Sequence, residues 1–150
     1  MSASVKVIRL EDHFKDALRA ATGDQLLKAC MAGGEVVRNH TKLNIHAQGL
    51  VDTSALLNSI SVDKDKSTET SSTVSIGTNI EYAAIHEFGG PIVPRVAKML
   101  SWITDSGERA FAKVVHIPAR PYLRPALDEN EGDIIKAVGT SLKRQIEGAL

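Results

Sequence analysis

Apolar residues recur every three or four positions near both ends of this chain, whereas they alternate with polar residues in between. The first spacing places apolar side chains on one side of an α-helix, and the second places them on one face of a β-strand. We therefore predict an α+β fold, in which an antiparallel sheet with a β-hairpin packs against N-terminal helices and a C-terminal amphipathic helix. Because 43% of the 150 residues are hydrophobic, one domain over residues 1–150 can bury a core.

Two helices are predicted before residue 50, after a short β-like segment at residues 5–10. The second helix is expected to begin at an Asp24 cap and to run toward Ala47, with Gly33 and Gly34 inside it. A glycine inside a helix costs about 1 kcal/mol relative to alanine, so we expect another backbone to pack closely there. The apolar stripes are Leu10, Phe14, Leu18 and Ala21 on the first helix, and Leu26, Leu27, Cys30, Met31, Gly34, Val37, Thr41 and Ile45 on the second.

The middle of the chain predicts an antiparallel pair of strands followed by a short helix. Residues 60–62 and 74–76 alternate apolar and polar side chains, which is typical of strands with one face in water. One helical turn with an Asp52-Thr53 cap is expected just before them. Thr78 and Glu81 have the spacing of a capping box, and the glycines at 89 and 90 are expected to end the short helix.

A second hairpin is predicted at residues 91–117, where we expect it to protrude from the domain. The stretches "VAKMLSWI" and "RAFAKVVHI" both have a period of two, and "TDSGE" between them supplies turn residues.

The last helix is predicted from Pro125 onward. Proline is acceptable in a first turn, and acidic residues near the start complement the helix dipole. The acidic residues are Asp128, Glu129, Glu131 and Asp133, and the apolar stripe is Leu127, Ile134, Ile135, Val138, Leu142, Ile146 and Ala149.

No catalytic, cofactor-binding or metal-binding constellation is found, so we do not expect an enzyme. His86-Glu87 is not a metalloprotease motif, because position 90 is glycine where the second histidine would stand. Cys30 falls on an apolar helix stripe, which favours a buried thiol over a nucleophile. The N-terminus lacks the apolar region of a secretory signal, and no apolar run is long enough to cross a membrane, so we expect a cytosolic protein without a membrane partner.

The basic residues are concentrated in one segment, although the whole chain has 18 basic and 18 acidic residues. Residues 91–124 contain six basic and two acidic residues, a net charge of +4, while residues 1–90 and 125–150 each carry a net charge of −2. Solvated strand faces are the simpler explanation. The alternative is a basic surface for a polyanion or an acidic partner, with Arg95, Lys98, Arg109 and Lys113 as candidate DNA-facing residues.

Four stretches, in order, resemble the tail-completion or head–tail joining proteins of long-tailed bacteriophages, a virion morphogenesis family. They are "GLVDTSALLNSI", "IEYAAIHEFGG", "IPARPYLRPAL" and the amphipathic C-terminal helix. The resemblance covers residues 10–150, and Ser54 stands where the family usually has glycine. The hairpin between Gly90 and Ile117 is the variable part of the family.

The resemblance implies a structural virion protein of the neck or upper tail, assembled in the host cytoplasm and acting in tail completion and head–tail joining without catalysis. It implies a ring, a hexamer given the sixfold tail, formed from subunits that are monomeric before assembly. The expected partners are other subunits, neck and tail proteins, and DNA passing through the lumen. A nucleic-acid-binding module that uses residues 91–124 is the alternative function.

Interface residues are expected in the connector "IPARPYLRP", with residues of the short helix in a supporting shell. The three prolines of the connector fix backbone angles, and tyrosine and arginine are common at interface hot spots. An ion pair of Glu87 with Arg120 or Arg124 is a further hypothesis. The candidate interface residues are Tyr82, Glu87, Phe88, Arg120, Tyr122 and Arg124. The alternative is that Tyr82, Phe88, Tyr122 and Leu123 are core residues.

Overall fold

The computed structural model describes residues 16, 17, 19–50 and 54–148, and these form two compact units. The first, which we call the helical unit, spans Met1–Asn79 and Tyr122–Leu150, and the second, the hairpin unit, spans Ile80–Pro121. The predicted segment at residues 5–10, the stripe residues Leu10, Phe14 and Leu18, and the Asp52-Thr53 cap lie outside the described residues. The single domain over residues 1–150 stays a prediction.

Helices and small antiparallel sheets confirm the predicted α+β class. The elements in chain order are α1 (Gly23–Ala47), α2 (Ala55–Ser59), β1 (Ser61–Ser67), β2 (Ser72–Gly77), α3 (Ala83–Phe88), β3 (Gly90–Ile92), β4 (Leu100–Ile103), β5 (Arg109–Ala112), β6 (Val115–Ile117), α4 (Leu123–Asp128) and α5 (Glu131–Glu147).

Helix α1 begins after Thr22, so the predicted Asp24 cap is wrong by two residues. The Gln25 amide donates to Thr22 Oγ1 at 3.4 Å, and the Thr22 amide donates to Gln25 Oε1 at 2.9 Å. This reciprocal capping box satisfies two amides that the helix leaves unpaired. Asp24 lies in the first turn, where it pairs with Lys28 at 2.8 Å.

The approach at the glycine pair of α1 is close, but the predicted neighbour is wrong, because mainly β-branched side chains rather than another backbone pack there. A Cβ on Gly33 would lie 2.7 Å from Cγ2 of Val138 on α5. A Cβ on Gly34 would lie 2.5 Å from Cγ1 of Val62 on β1 and 3.4 Å from Val74 on β2. Two adjacent glycines therefore let α1 approach a helix on one side and a sheet on the other.

This double contact widens the buried face of α1 beyond the predicted stripe. Ala29 and Gly33 are buried although the stripe omitted them, while Leu27, Cys30 and Met31 are only half-buried. The buried Thr41 hydroxyl donates to the Val37 carbonyl at 2.7 Å. Two clusters of buried residues in the described part of this unit are Leu26, Ala29, Val138 and Leu142, and Val37, Ala126 and Ile134.

Two helices form where one was predicted from Pro125. Pro125 lies inside α4, which ends at Asp128; Glu129 still has helical backbone angles, and Asn130, with φ −119° and ψ 23°, interrupts the helix before α5 begins. Asn130 Nδ2 donates to the Ala126 carbonyl at 3.0 Å, a local bond of the kind that competes with a continuous helix. Ile134, Val138 and Leu142 form the buried side of α5, as predicted.

Strands β1 and β2 confirm the predicted antiparallel pair with one exposed face. Val62 pairs with Ile76, which places both on the face that carries the Gly34 contact. The paired residues Asp63 and Ser75 lie on the opposite face and are exposed. Ser54, at the position where the resemblance leads one to expect glycine, has a left-handed φ of 60°.

We predict that Gly34→Ala destabilises the protein relative to Gly132→Ala, measured as the free energy of unfolding in urea. The added methyl overlaps Val62, a rigid β-branched side chain, and overpacking of this kind costs about 1–3 kcal/mol. Among the described residues, no atom outside the adjoining helical turn lies within 4 Å of a Cβ at Gly132, so this control gains helix propensity without the overlap. Equal stabilities of the two variants would contradict the packing argument.

Candidate interaction surface

Helix α3 of the hairpin unit begins at Ala83 without a side-chain cap, so the predicted capping box of Thr78 and Glu81 is wrong. The Thr78 hydroxyl instead hydrogen bonds with the Ser59 hydroxyl at 2.5 Å, within the helical unit. Glu81 pairs with Arg95 of the hairpin unit at 2.7 Å. Both side chains thus bond to groups other than the backbone amides at the start of α3.

The stretches "HEFGG" and "IPAR" are in direct contact at the end of α3. The Gly89 amide donates to the Ile85 carbonyl at 2.8 Å, and φ at Gly89 is +68°. A Cβ on Gly89 would lie 2.6 Å from the backbone nitrogen of Ala119. The Arg120 amide donates to the His86 carbonyl at 2.7 Å. Glycine is therefore required both by the backbone angle and by the approach of the connector.

Beyond Gly89 the chain forms the predicted hairpin as two short ladders. Strand β3 pairs with β6, and β4 pairs with β5. The turn of the β4–β5 pair is held by the Thr104 amide, which donates to the Glu108 carbonyl at 2.8 Å. Gly107 has φ +82°, which explains the glycine in "TDSGE".

Exposed apolar residues are concentrated in the hairpin unit. Among the described residues, ten of the eleven exposed large hydrophobic side chains lie between positions 82 and 114, and the other is Leu43 on α1. The ten are Tyr82, Phe88, Ile92, Val93, Val96, Met99, Trp102, Ile103, Phe111 and Val114. Apolar exposure concentrated in one segment in this way marks an interaction surface.

The register of β4 and β5 gives this two-stranded ribbon two different faces. Leu100, Ala110 and Ala112 lie on one face and are half-buried, and Trp102 beside them is 43% exposed. The other face consists of Ser101, Ile103, Arg109 and Phe111, all of them exposed, and we call it the ribbon face. Ile103 is 59% and Phe111 57% exposed. A sheet face with two large uncovered apolar side chains and one arginine can bury them against a partner.

The four predicted DNA-facing residues are all exposed, but they are not equivalent. Arg95 is paired with Glu81. Lys98, Arg109 and Lys113 take part in none of the ion pairs of the described chain. The charge that remains for an anionic partner is therefore on and beside the ribbon face.

The six predicted interface residues differ in exposure. In the hairpin unit, Tyr82 and Phe88 are each 45% exposed, and Tyr82 makes an edge-to-face contact with His86 at 5.8 Å between ring centroids. Arg120 is also exposed, whereas Glu87 is buried.

In the helical unit, Tyr122 is 2% exposed and Arg124 is exposed. The Tyr122 carbonyl accepts a hydrogen bond from Asn44 Nδ2 at 3.0 Å. Tyr122 is buried, which agrees with a role as a core residue, whereas Tyr82 and Phe88 are exposed and do not have that role. The interface role of these residues and the ion pair of Glu87 stay predictions.

Sequence reasoning missed the ribbon face itself. The available signal was that Trp102 and Ile103 are both large and adjacent in a strand. Because successive side chains point to opposite faces, no register can place both on the same side. At least one of these two side chains can therefore be buried only by residues outside the ribbon.

The chemistry of the remaining groups does not indicate a catalytic centre. Burial raises the pKa of the Cys30 thiol, and its Sγ donates to the Ser72 carbonyl at 3.6 Å. A raised pKa lowers the thiolate fraction and hence the reactivity. Within the described residues, His, Cys, Asp and Glu form no cluster of three that would suit a metal ion. None of the described helices is both long enough and apolar enough to cross a membrane.

Comparison with known proteins gives a match to a protein family. Residues 14–143 match the profile of the phage virion morphogenesis family. This range includes all of the hairpin unit and most of the helical unit, so it concerns the whole fold rather than one motif. Neither the curated proteins nor the solved structures compared with the chain gave a match.

We predict that Gly89→Ala weakens the contact between α3 and the connector far more than Gly107→Ala does. Both substitutions place a Cβ at a positive φ, which costs about 1–2 kcal/mol, but only Gly89 also meets backbone atoms. The readout is hydrogen exchange of the Arg120 amide, which we expect to quicken about tenfold or more in Gly89→Ala. Gly107→Ala should leave this amide unchanged, and equal exchange in both variants would refute the contact.

Proposed function

This chain belongs to the phage virion morphogenesis family, which indicates a structural or assembly role in the phage virion, and on that premise we propose that it acts in tail completion and head–tail joining. In this proposal it is a ring subunit of the neck or upper tail and carries out no catalysis. The observation that carries the proposal is the concentration of uncovered apolar side chains in the hairpin unit. Permanent assemblies bury surfaces of this kind, because their interfaces are more apolar than the rest of a protein surface.

A ring requires two different surfaces on each subunit. In a ring each subunit presents one surface to the preceding copy and another to the following copy. We propose a hexamer, to match a sixfold tail, built from subunits that are monomeric at low concentration. Its other partners are neck and tail proteins, with Tyr82, Phe88, Arg120 and Arg124 as exposed contact residues and Glu87 and Tyr122 as buried support.

Deleting this gene from the phage that carries it tests the function directly. We expect DNA-filled heads and complete-length tails that stay separate in electron micrographs, because the joining component is missing. Expression of the chain from a plasmid should restore joined particles. Joined and infectious particles without the protein, or a block before the heads are filled, would contradict a role in joining.

A second function, contact with nucleic acid, would use the same ribbon face in place of a protein partner. Arg109 and the aromatic Phe111 lie on the same exposed face, and cations beside aromatic rings are typical of surfaces that bind single strands. In a neck the same residues, with Arg95, Lys98 and Lys113, would line the lumen and touch passing DNA.

The DNA reading predicts that affinity falls steeply with salt, by about one unit of logarithmic slope for each phosphate contacted. If this function holds, replacing Lys98, Arg109 and Lys113 with alanine lowers this slope and impairs DNA retention while ring assembly persists; lost assembly would instead place these residues at a contact between subunits. The matched control replaces Lys28, Lys64 and Lys66, which are exposed cations of the helical unit. If duplex and single-stranded DNA both fail to bind at low salt, the nucleic-acid function is excluded.

A further inference from the structure

We infer that the ribbon face docks on a second copy of this chain, against the acidic segment at residues 128–133. This inference rests on the proposed function, because it assigns the surfaces through which neighbouring subunits meet.

The apolar side chains of the ribbon face are not buried by other residues of the hairpin unit. Ile103 and Phe111 remain more than half exposed on it, and Trp102 is also exposed on the opposite face. A two-stranded ribbon by itself is only marginally stable in water, and a further layer on one face stabilises it. A partner that buries Ile103 and Phe111 would supply that layer.

The residues around the ribbon face indicate an anionic protein rather than DNA as its partner. Arg109 lies on the face, and Lys98 and Lys113 are exposed beside the ends of its strands. Exposed aliphatic side chains close to it in the sequence include Val96, which is fully exposed, and Val114. Interfaces with DNA are more polar than this, whereas an acidic protein surface satisfies the cations and still offers apolar contact.

The acidic segment at residues 128–133 provides the complementary charge. Asp128, Glu129, Glu131 and Asp133 are four acidic residues within six positions, and all four are exposed. Such density matters because the field of an exposed charge is screened within about 8 Å at physiological ionic strength. Half-buried Leu127 and Ile135 flank the segment and add apolar area.

Placing both surfaces on one chain gives a head-to-tail contact. The basic segment carries a net charge of +4, and the two segments around it carry −2 each, so the chain is neutral as a whole. Copies therefore do not repel each other through net charge, while the local charges favour one orientation. Because the two surfaces differ, the contact is heterologous, and repeated rotation can close it into a ring.

Charge reversal tests the contact with variants of the full chain. The first variant combines Arg109→Glu with Lys113→Glu, the second combines Glu129→Lys with Asp133→Lys, and the third carries all four changes. Association is measured by sedimentation velocity up to millimolar concentration at low salt. Circular dichroism confirms that each variant is folded, and the control variant combines Lys64→Glu with Lys66→Glu on β1.

We expect the first two variants to associate at least tenfold more weakly than the wild type. The third variant should regain association to within about threefold, because both sides of the contact have exchanged charge. The control variant should behave as the wild type does. In addition, Phe111→Ser should weaken association without a change in its salt dependence, since it removes apolar area but no charge.

Three results would overturn the inference. A second variant that associates normally while the first fails would show that the ribbon face pairs with another surface, such as its own counterpart in a second copy. A third variant that associates no more strongly than the first would lead to the same conclusion. A wild-type chain that stays monomeric at millimolar concentration would exclude self-docking.

The last result leaves the proposed function standing if deletion of the gene still separates heads from tails. The ribbon face would then contact a different neck or tail protein. Conversely, self-association that follows the predicted pattern in a phage whose deletion still gives joined particles would sink the proposed function but keep the docking surface.

Discussion

The helical unit depends on the close approach at Gly33 and Gly34. These residues are adjacent on α1, yet they face different neighbours, because successive positions on a helix are about 100° apart. One neighbour is α5 through Val138, and the other is the β1–β2 pair through Val62. Without a Cβ at either position, branched side chains pack directly against the backbone of α1. The loss of helix propensity at two glycines is thus offset by two well-packed interfaces.

A second glycine-dependent contact organises the hairpin unit. Gly89 ends α3 with a positive φ and leaves room for the backbone of the connector at Ala119. The Arg120 amide then donates to the end of α3 at His86. Residues at the two ends of the hairpin are in this way fixed to the same short helix. The ribbon of β4 and β5 between them keeps one face uncovered, which a virion assembly protein can use to meet a partner.

The correct predictions are those that rest on periodicity or on a glycine. Period-two stretches gave the β1–β2 pair and the hairpin, and the 3.6-residue period gave α1 and the buried side of α5. Several of the errors concern helix ends, because several polar residues compete for the same cap. Thr22 has Gln25 three residues later and forms the cap, so Asp24 does not. Thr78 finds Ser59, and Glu81 finds Arg95, across distances in the sequence that no local pattern reveals.

The candidate site was predictable only in part, and for the same reason. The sequence by itself determined the α+β class, the basic character of residues 91–124, the glycines at the end of α3 and membership of the family. These follow from local spacing, composition and order along the chain. The tertiary structure decided that Tyr122 is buried, that Arg95 pairs with Glu81, and that Ile103 and Phe111 share one uncovered face with Arg109. Strand register and long-range pairing set these outcomes, because exposure depends on what the fold brings next to a side chain and not on the side chain alone.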